Sequence, residues 1–205
     1  MFKYCLEIRT YRLEIPQYIK YTVGMGLFYT GKGDGGESVV GSKKIDKTGV
    51  EIYALGELDE LNSLIGIVKN IKINTGFKKI LHDVQENLFI VQANLANIML
   101  GGKYKSPQLS FDKVREMEKI IDKLEKKLKP AKAFVISGSS ISSAWLDYTR
   151  AVSRRVERSV LSFGKYNDLS PEIKAYLNRL SSLFFAMARF ESKSGRKKEK
   201  HPKYK

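Results

Sequence analysis

Arg150-Ala151-Val152-Ser153-Arg154-Arg155-Val156-Glu157-Arg158 places four arginines and one glutamate in nine residues that include no Gly or Pro. The stretch reads as helix. Arg150, Arg154 and Glu157 then fall at i, i+4 and i+7 on one face, and Arg158 continues that face one turn beyond Arg154. Arg155 points about 100° away, given the helical period of about 3.6 residues. Three cations along one stripe repel each other, and one glutamate does not neutralise them. Two readings stand: a solvated charged face, or a site for phosphate, which a guanidinium grips bidentately.

Working outward, the arginine helix is expected from about Ser140 to Phe163, ended by Gly164. Glu51 to about Asn70 carries Leu55, Leu58, Leu61, Leu64, Ile65 and Val68 at helical period. Phe77 to Leu100 repeats the pattern with Ile80, Leu81, Val84, Leu88, Val91, Leu95 and Ile98, and Gly101-Gly102 stops it. Ser110 reads as the N-cap of a helix through Val114, Met117, Ile120, Ile121, Leu124 and Leu128 that stops at Pro130. Ser170-Pro171-Glu172 opens the last helix, through Ile173, Tyr176, Leu177, Leu180, Leu183, Phe184, Met187 and Ala188. Five helices joined by short connections, with no hairpin signal in the body, give an all-α five-helix bundle.

A chain of 205 residues suits one domain with a full core, and 42% hydrophobic with 29% charged residues is an ordinary globular mixture. No apolar run approaches the roughly 20 residues of a membrane span. Charge runs through the first residues, which speaks against a secretory signal. The single Cys5 allows no intrachain disulfide, and a reducing, cytoplasmic setting is expected. Net charge is +15. Residues 191–205 hold seven Lys/Arg against two Glu, so +5 lies in a tail read as basic and disordered. The remaining +10 favours anionic partners: nucleotide phosphates, nucleic acid or a membrane surface. Residues 1–28 show no clear periodicity and read as an N-terminal extension, with the functional chain expected to begin near Met25. The bundle domain is expected over 29–190.

Tyr29-Thr30-Gly31-Lys32-Gly33-Asp34-Gly35-Gly36-Glu37-Ser38 satisfies Gly-x-Gly-x-x-Gly at Gly31, Gly33 and Gly36. It lacks the preceding strand and following helix of a dinucleotide fold and the Gly-Lys-Ser/Thr of a P-loop. It is either a plain surface turn or an anion-binding nest of unblocked backbone N–H groups. Lys43, Lys44 and Lys47 add cations just downstream.

Other chemistry does not assemble. His82 and His201 are the only histidines, and the Glu-x-x-His pairs of a di-iron bundle are absent. No metal held by side chains is expected, and no Ser-His-Asp or Cys-His set can be built. Asp59-Glu60 reads either as paired carboxylates or as a charged helix face.

Taken together, four segments resemble the PduO-type ATP:cob(I)alamin adenosyltransferases. The Tyr29–Ser38 stretch is similar to that family's Y-T-x-x-G-D-x-G-x-T/S motif. Gly56-Glu57-Leu58-Asp59-Glu60-Leu61-Asn62-Ser63-Leu64-Ile65-Gly66 resembles its G-x-x-D-E-L-N-S-x-I-G helix. Phe134 followed by Arg150–Arg158 resembles its F…R-x-x-x-R-R-x-E-R segment, and Tyr176–Ser181 matches x-L-N-R-L-S. The resemblance runs in order from about Tyr29 to Arg189.

The resemblance implies a ferritin-like five-helix bundle that assembles as a homotrimer with active sites between subunits. It implies transfer of the 5′-deoxyadenosyl group of ATP to cob(I)alamin, giving adenosylcobalamin and triphosphate, with Mg²⁺ on the phosphates. Carried over by motif, Thr30, Gly31, Lys32, Gly33, Asp34 and Ser38 would wrap the triphosphate with Lys47. Arg154, Arg155, Glu157, Arg158 and Asn178 would complete the ATP site, and of these Arg154, Arg155, Glu157 and Asn178 would be catalytic. Asp59 and Arg150 would pair across a subunit joint on the cobalamin side, with Phe134 covering the lower face of the corrin. A reductase supplying Co(I) and an adenosylcobalamin-dependent recipient enzyme are the implied partners; no membrane partner is implied.

Two departures stand out. The family usually has Arg or Lys after the first Thr and a Thr before Gly-Asp, where this chain has Gly31 and Lys32. Its Pro-Gly-Gly before the arginine helix is Ser137-Gly138-Ser139 here. Two other readings stay open: a basic helical nucleic-acid-binding protein, supported by charge but by no recognised motif, and a bundle that carries cobalamin without catalysis.

Overall fold

The computed structural model describes residues 29–128, 133–195 and 199–204. The expectations for residues 1–28 and for the stop at Pro130 lie outside the described residues. In chain order come β1 (Glu37–Val40), β2 (Lys43–Asp46), α1 (Val50–Asn70), α2 (Thr75–Met99), α3 (Phe111–Leu128), α4 (Ile141–Phe163) and α5 (Pro171–Ser194). The five helices are those the periodicity predicts.

Helix ends follow local chemistry. Ser140 caps α4 with a capping box: its side chain accepts from Ser143 N, and the Ser143 hydroxyl accepts from Ser140 N. Ser170 caps α5, with Pro171 at the first helical position. Gly101 and Gly102 take φ of 79° and 70° beyond α2, the left-handed turn that ends a helix there.

The core is one continuous cluster. Leu58, Leu61, Ile65, Leu81, Leu88, Val91, Leu95, Leu146, Val156, Leu180 and Phe184 are all completely or almost completely buried in it. Tyr176 is buried too, and its hydroxyl accepts from Asn87 Nδ2 at 3.0 Å. Burial pushes that phenol above its ordinary range against the opposing pull of the Asn87 hydrogen bond, so it stays neutral.

Cross-helix bonds give the directions. Asp147 and Arg189 meet, as do Glu157 and Asn178, so α4 and α5 are antiparallel. Asn74 and Glu191 meet at one end of α2 and Asn87 and Tyr176 further along, so α2 and α5 are antiparallel. Gln85 Nε2 donates to Asn62 O, and further along α1 Lys69 Nζ meets His82 Nδ1 earlier on α2, which sets α1 antiparallel to α2. It follows that the N-termini of α1 and α5 and the C-termini of α2 and α4 share one end of the bundle. The connection into α4 and the C-terminus of α5 share the other.

Two expectations need correction. The body does contain a hairpin: β1 and β2 pair antiparallel, with Glu37 opposite Asp46 and Val40 opposite Lys43. Gly41 turns it at φ 57°, and its open side lets Leu100 approach, since an added Cβ would sit 2.8 Å from Leu100 Cδ1. The strands are only four residues each, and of their apolar members only Val40 and Ile45 pack on the core, so the period-2 signal is too short to read. The tail is also not wholly disordered. Helix α5 runs on to Ser194, with Glu191 and Ser192 buried. Glu191 Oε1 accepts from Asn74 N at 2.9 Å, and Lys200 forms an antiparallel bridge with Ile136. Charge counting is blind to a glutamate that caps another helix.

Candidate functional site

The glycine-rich segment leads into the hairpin and sits at the end of the bundle where α1 begins. Its turns are closed by Asp34 N donating to Gly31 O and Gly36 N to Gly33 O. Lys47 folds back onto it, with Nζ donating to Gly33 O at 2.6 Å and its backbone N donating to Gly36 O at 2.9 Å. An added Cβ on Gly33 would lie 2.9 Å from Lys47 Nζ, so a larger residue there would make the lysine end shift. Thr30, Gly31, Lys32 and Asp34 are exposed; Gly33 and Ser38 are half-buried. Thr30 Oγ1 accepts from Lys32 N. The hairpin is anchored by Lys43 Nζ donating to Met99 O at 2.6 Å.

Arg154 and Arg158 lie on the half of α4 that runs toward this same end. Both are exposed, and neither has a hydrogen-bond or ion-pair partner among the described residues. Their neighbour differs. Arg155 Nε donates to Glu57 Oε2 at 2.6 Å and its Nη2 to Glu60, tying α4 to α1. Glu60 first and then Glu57 hold the guanidinium proton above arginine's ordinary range. Glu157 Oε1 accepts from Asn178 Nδ2 at 2.9 Å, and Asn178 Oδ1 accepts from Arg179 Nη1. Glu157 is therefore directed to α5 and Asn178, not to the arginines beside it. Arg179 in turn reaches Glu118 of α3 at 2.8 Å.

Asp59 lines a shallow open groove between α1 and α2 with Asn62, Ser63, His82, Gln85, Glu86 and Phe89. Among the described residues no ion pair joins it to Arg150. Arg150 is half-buried, and its Nε is a buried donor without a hydrogen-bond partner; Asn62 Oδ1 is a buried acceptor in the same condition. His82 is exposed and meets Lys69 and Glu86.

Phe134 stands at the opposite end, in the loop before α4, with 79% of its surface exposed. Helix α4 has 23 residues, about 35 Å at 1.5 Å per residue, so within one chain Phe134 and the glycine-rich segment flank opposite ends of it. Sequence reasoning missed three things: the Glu57/Glu60 pair, the buried Asp147–Arg189 pair, and Glu199 beside Arg189. Only the first had a signal, acidic residues at i and i+3 on the helix that faces the arginines.

The family model described as Cobalamin adenosyltransferase matches residues 28–191. The chain is 34% identical over 164 residues to the corrinoid adenosyltransferase of Citrobacter freundii, covering 80% of this chain and 93% of that one. It is 32% identical over 165 residues to the corrinoid adenosyltransferase of Bacillus subtilis (strain 168), covering 78% and 84%. Among solved structures it is similar to a variant PduO-type ATP:corrinoid adenosyltransferase from Lactobacillus reuteri complexed with cobalamin and ATP, with TM-score 0.79, 25% identity, and 85% and 95% of the two chains covered. With a five-helix fold and a family model that spans residues 28–191, the chain belongs to the cobalamin adenosyltransferase family.

Proposed function

We propose that this chain transfers the 5′-deoxyadenosyl group of ATP to cob(I)alamin, with the triphosphate held between the Thr30–Ser38 loop and Arg154 and Arg158. The carrying observation is selective pairing on one helix. Arg155 is held by two carboxylates, whereas Arg154 and Arg158 point outward with no partner among the described residues, at the end where the loop and Lys47 lie. Relatives named corrinoid adenosyltransferase support the same reaction.

The chemistry asks little acid–base help. The cobalt(I) electron pair attacks the ribose C5′ of ATP and forms the cobalt–carbon bond. The C5′–oxygen bond breaks, and its electrons leave on the triphosphate. The protein must align the two centres and neutralise the departing charge, which arginines, Lys47 and loop amides do without a catalytic His or Cys. Asn178, fixed by Glu157, places an amide beside the same face. Arg155 supports the site by holding α4 against α1. Among the described residues no three His, Cys, Asp or Glu converge. Mg²⁺ fits this set as an ion arriving on the phosphates, since it prefers phosphate oxygens and retained waters to an all-protein cage.

A homotrimer with shared sites is part of the reading. Phe134 and the loop are a helix length apart in one chain, a separation that neighbouring chains can close. Arg150 Nε lacks a partner, and Asp59 of a neighbouring chain would supply one. Tyr53, Ile67 and Tyr148 leave apolar surface on α1 and α4. There Phe134 would cover the lower corrin face and exclude the axial ligand, easing one-electron reduction of Co(II) by a reductase. The product would pass to an adenosylcobalamin-dependent enzyme. Among the described residues no helix is long and apolar enough to cross a membrane; a reducing cytoplasm suits the Co(I) substrate.

The test is anaerobic mixing of the protein with ATP, Mg²⁺ and chemically reduced cobalamin. Growth of the alkylcobalamin spectrum with release of triphosphate is expected. Absence of a cobalt–carbon product would leave the carrier reading standing.

A further inference from the structure

The C-terminal residues Glu199–His201 lie beyond the segment matched to the family, yet they contact the loop that carries Phe134. His201 Nδ1 lies 2.7 Å from Phe134 O; the carbonyl accepts, so Nδ1 carries the proton. Ile136 N donates to Lys200 O at 2.8 Å as the two segments form an antiparallel bridge. Glu199 Oε1 accepts from Arg189 Nη1 at 3.0 Å. Arg189 is 5% exposed and donates from Nη2 to the equally buried Asp147 at 2.6 Å, while its guanidinium carbon sits 5.1 Å from the centre of the Phe185 ring.

The far side of the same loop is tied down separately. Gly138 N donates to Asp147 Oδ2, and the Ser139 hydroxyl meets those of Ser143 and Ser192. The Phe134 ring is largely exposed and gains little position from its own packing. Its place is set by its backbone, and the backbone on its side of Gly138 is held by the tail.

We propose that Glu199–His201 is a positioning latch that holds the Phe134 loop against the bundle, with the buried Asp147–Arg189 pair as its anchor. Glu199 fixes the tail to Arg189, and His201 and the Lys200 carbonyl then fix Phe134 and Ile136. These are positioning residues, since they act on the corrin only through Phe134. The inference rests on the proposed covering role of Phe134.

The test uses full-length variants Glu199→Ala and His201→Ala, with Lys203→Ala as the control and His201→Asn as the conservative rescue, because an Asn side-chain amide can donate from near the Nδ1 position. Two readouts are needed. Amide exchange at Ile136 should speed up about tenfold in Glu199→Ala and His201→Ala, the effect of losing one net hydrogen bond, and return toward the parent in His201→Asn. Turnover from Co(II) with ATP and a reduced flavin donor should fall about tenfold in the same two variants. Turnover from pre-reduced Co(I) should stay within about twofold. Unchanged Ile136 exchange in both variants would overturn the latch. Faster exchange with unchanged Co(II) turnover would overturn its positioning role. Phe134→Ala separates the underlying reading: if it lowers both turnovers equally, the covering role fails, while the Ile136 exchange still reports on the latch.

Discussion

Arg155 and Arg189 each meet two carboxylates, whereas Arg154 and Arg158 meet none among the described residues. The four side chains are chemically identical and sit on two adjacent helices. The difference lies in what the opposing helix and tail offer. Glu57 and Glu60 face Arg155 from α1, and Asp147 and Glu199 enclose Arg189. Among the described residues no carboxylate pairs with Arg154 or Arg158. A net charge of +15 is therefore not spread evenly: some arginines are joints, and in the proposed function the others are the ones that meet the triphosphate.

That contrast can be broken most strongly at Arg189. Arg189→Ala leaves Asp147 charged, buried and unpaired, so chemical denaturation should show a loss of about 3–5 kcal/mol. A loss below about 1 kcal/mol, the value of an exposed pair, would show that Arg189 is not the joint described. Arg155→Ala sharpens the comparison at a smaller scale. Its side chain is 41% exposed, so solvent screens the pair and the expected loss is about 1 kcal/mol, weakening with added salt. No salt dependence would mean that its contribution is packing rather than charge.

Much of this was legible in the residues. The helices were readable because their apolar spacing persists over many turns, and the caps at Ser140, Ser170 and Gly164 were readable because capping is local chemistry. The hairpin was not, since four-residue strands rich in lysine carry too little alternation. The Arg150–Arg158 stripe announced a charge problem but not its solution. Which arginine is paired depends on α1, whose Glu57 lies 98 positions away in the chain. The tail was misjudged for a related reason: composition reports the lysines of residues 191–205 and hides that Glu191 caps α2 and Glu199 meets a buried arginine.

The measurement closest to the central claim is ATP binding to Arg154→Ala, followed by calorimetric titration beside its denaturation curve. Losing one charged hydrogen-bonding group to the triphosphate should weaken ATP affinity by about 30- to 100-fold. Stability should stay within about 0.5 kcal/mol of the parent, because the side chain supports nothing in the fold. Unchanged ATP affinity, or a loss of stability like that expected for Arg189→Ala, would contradict the account.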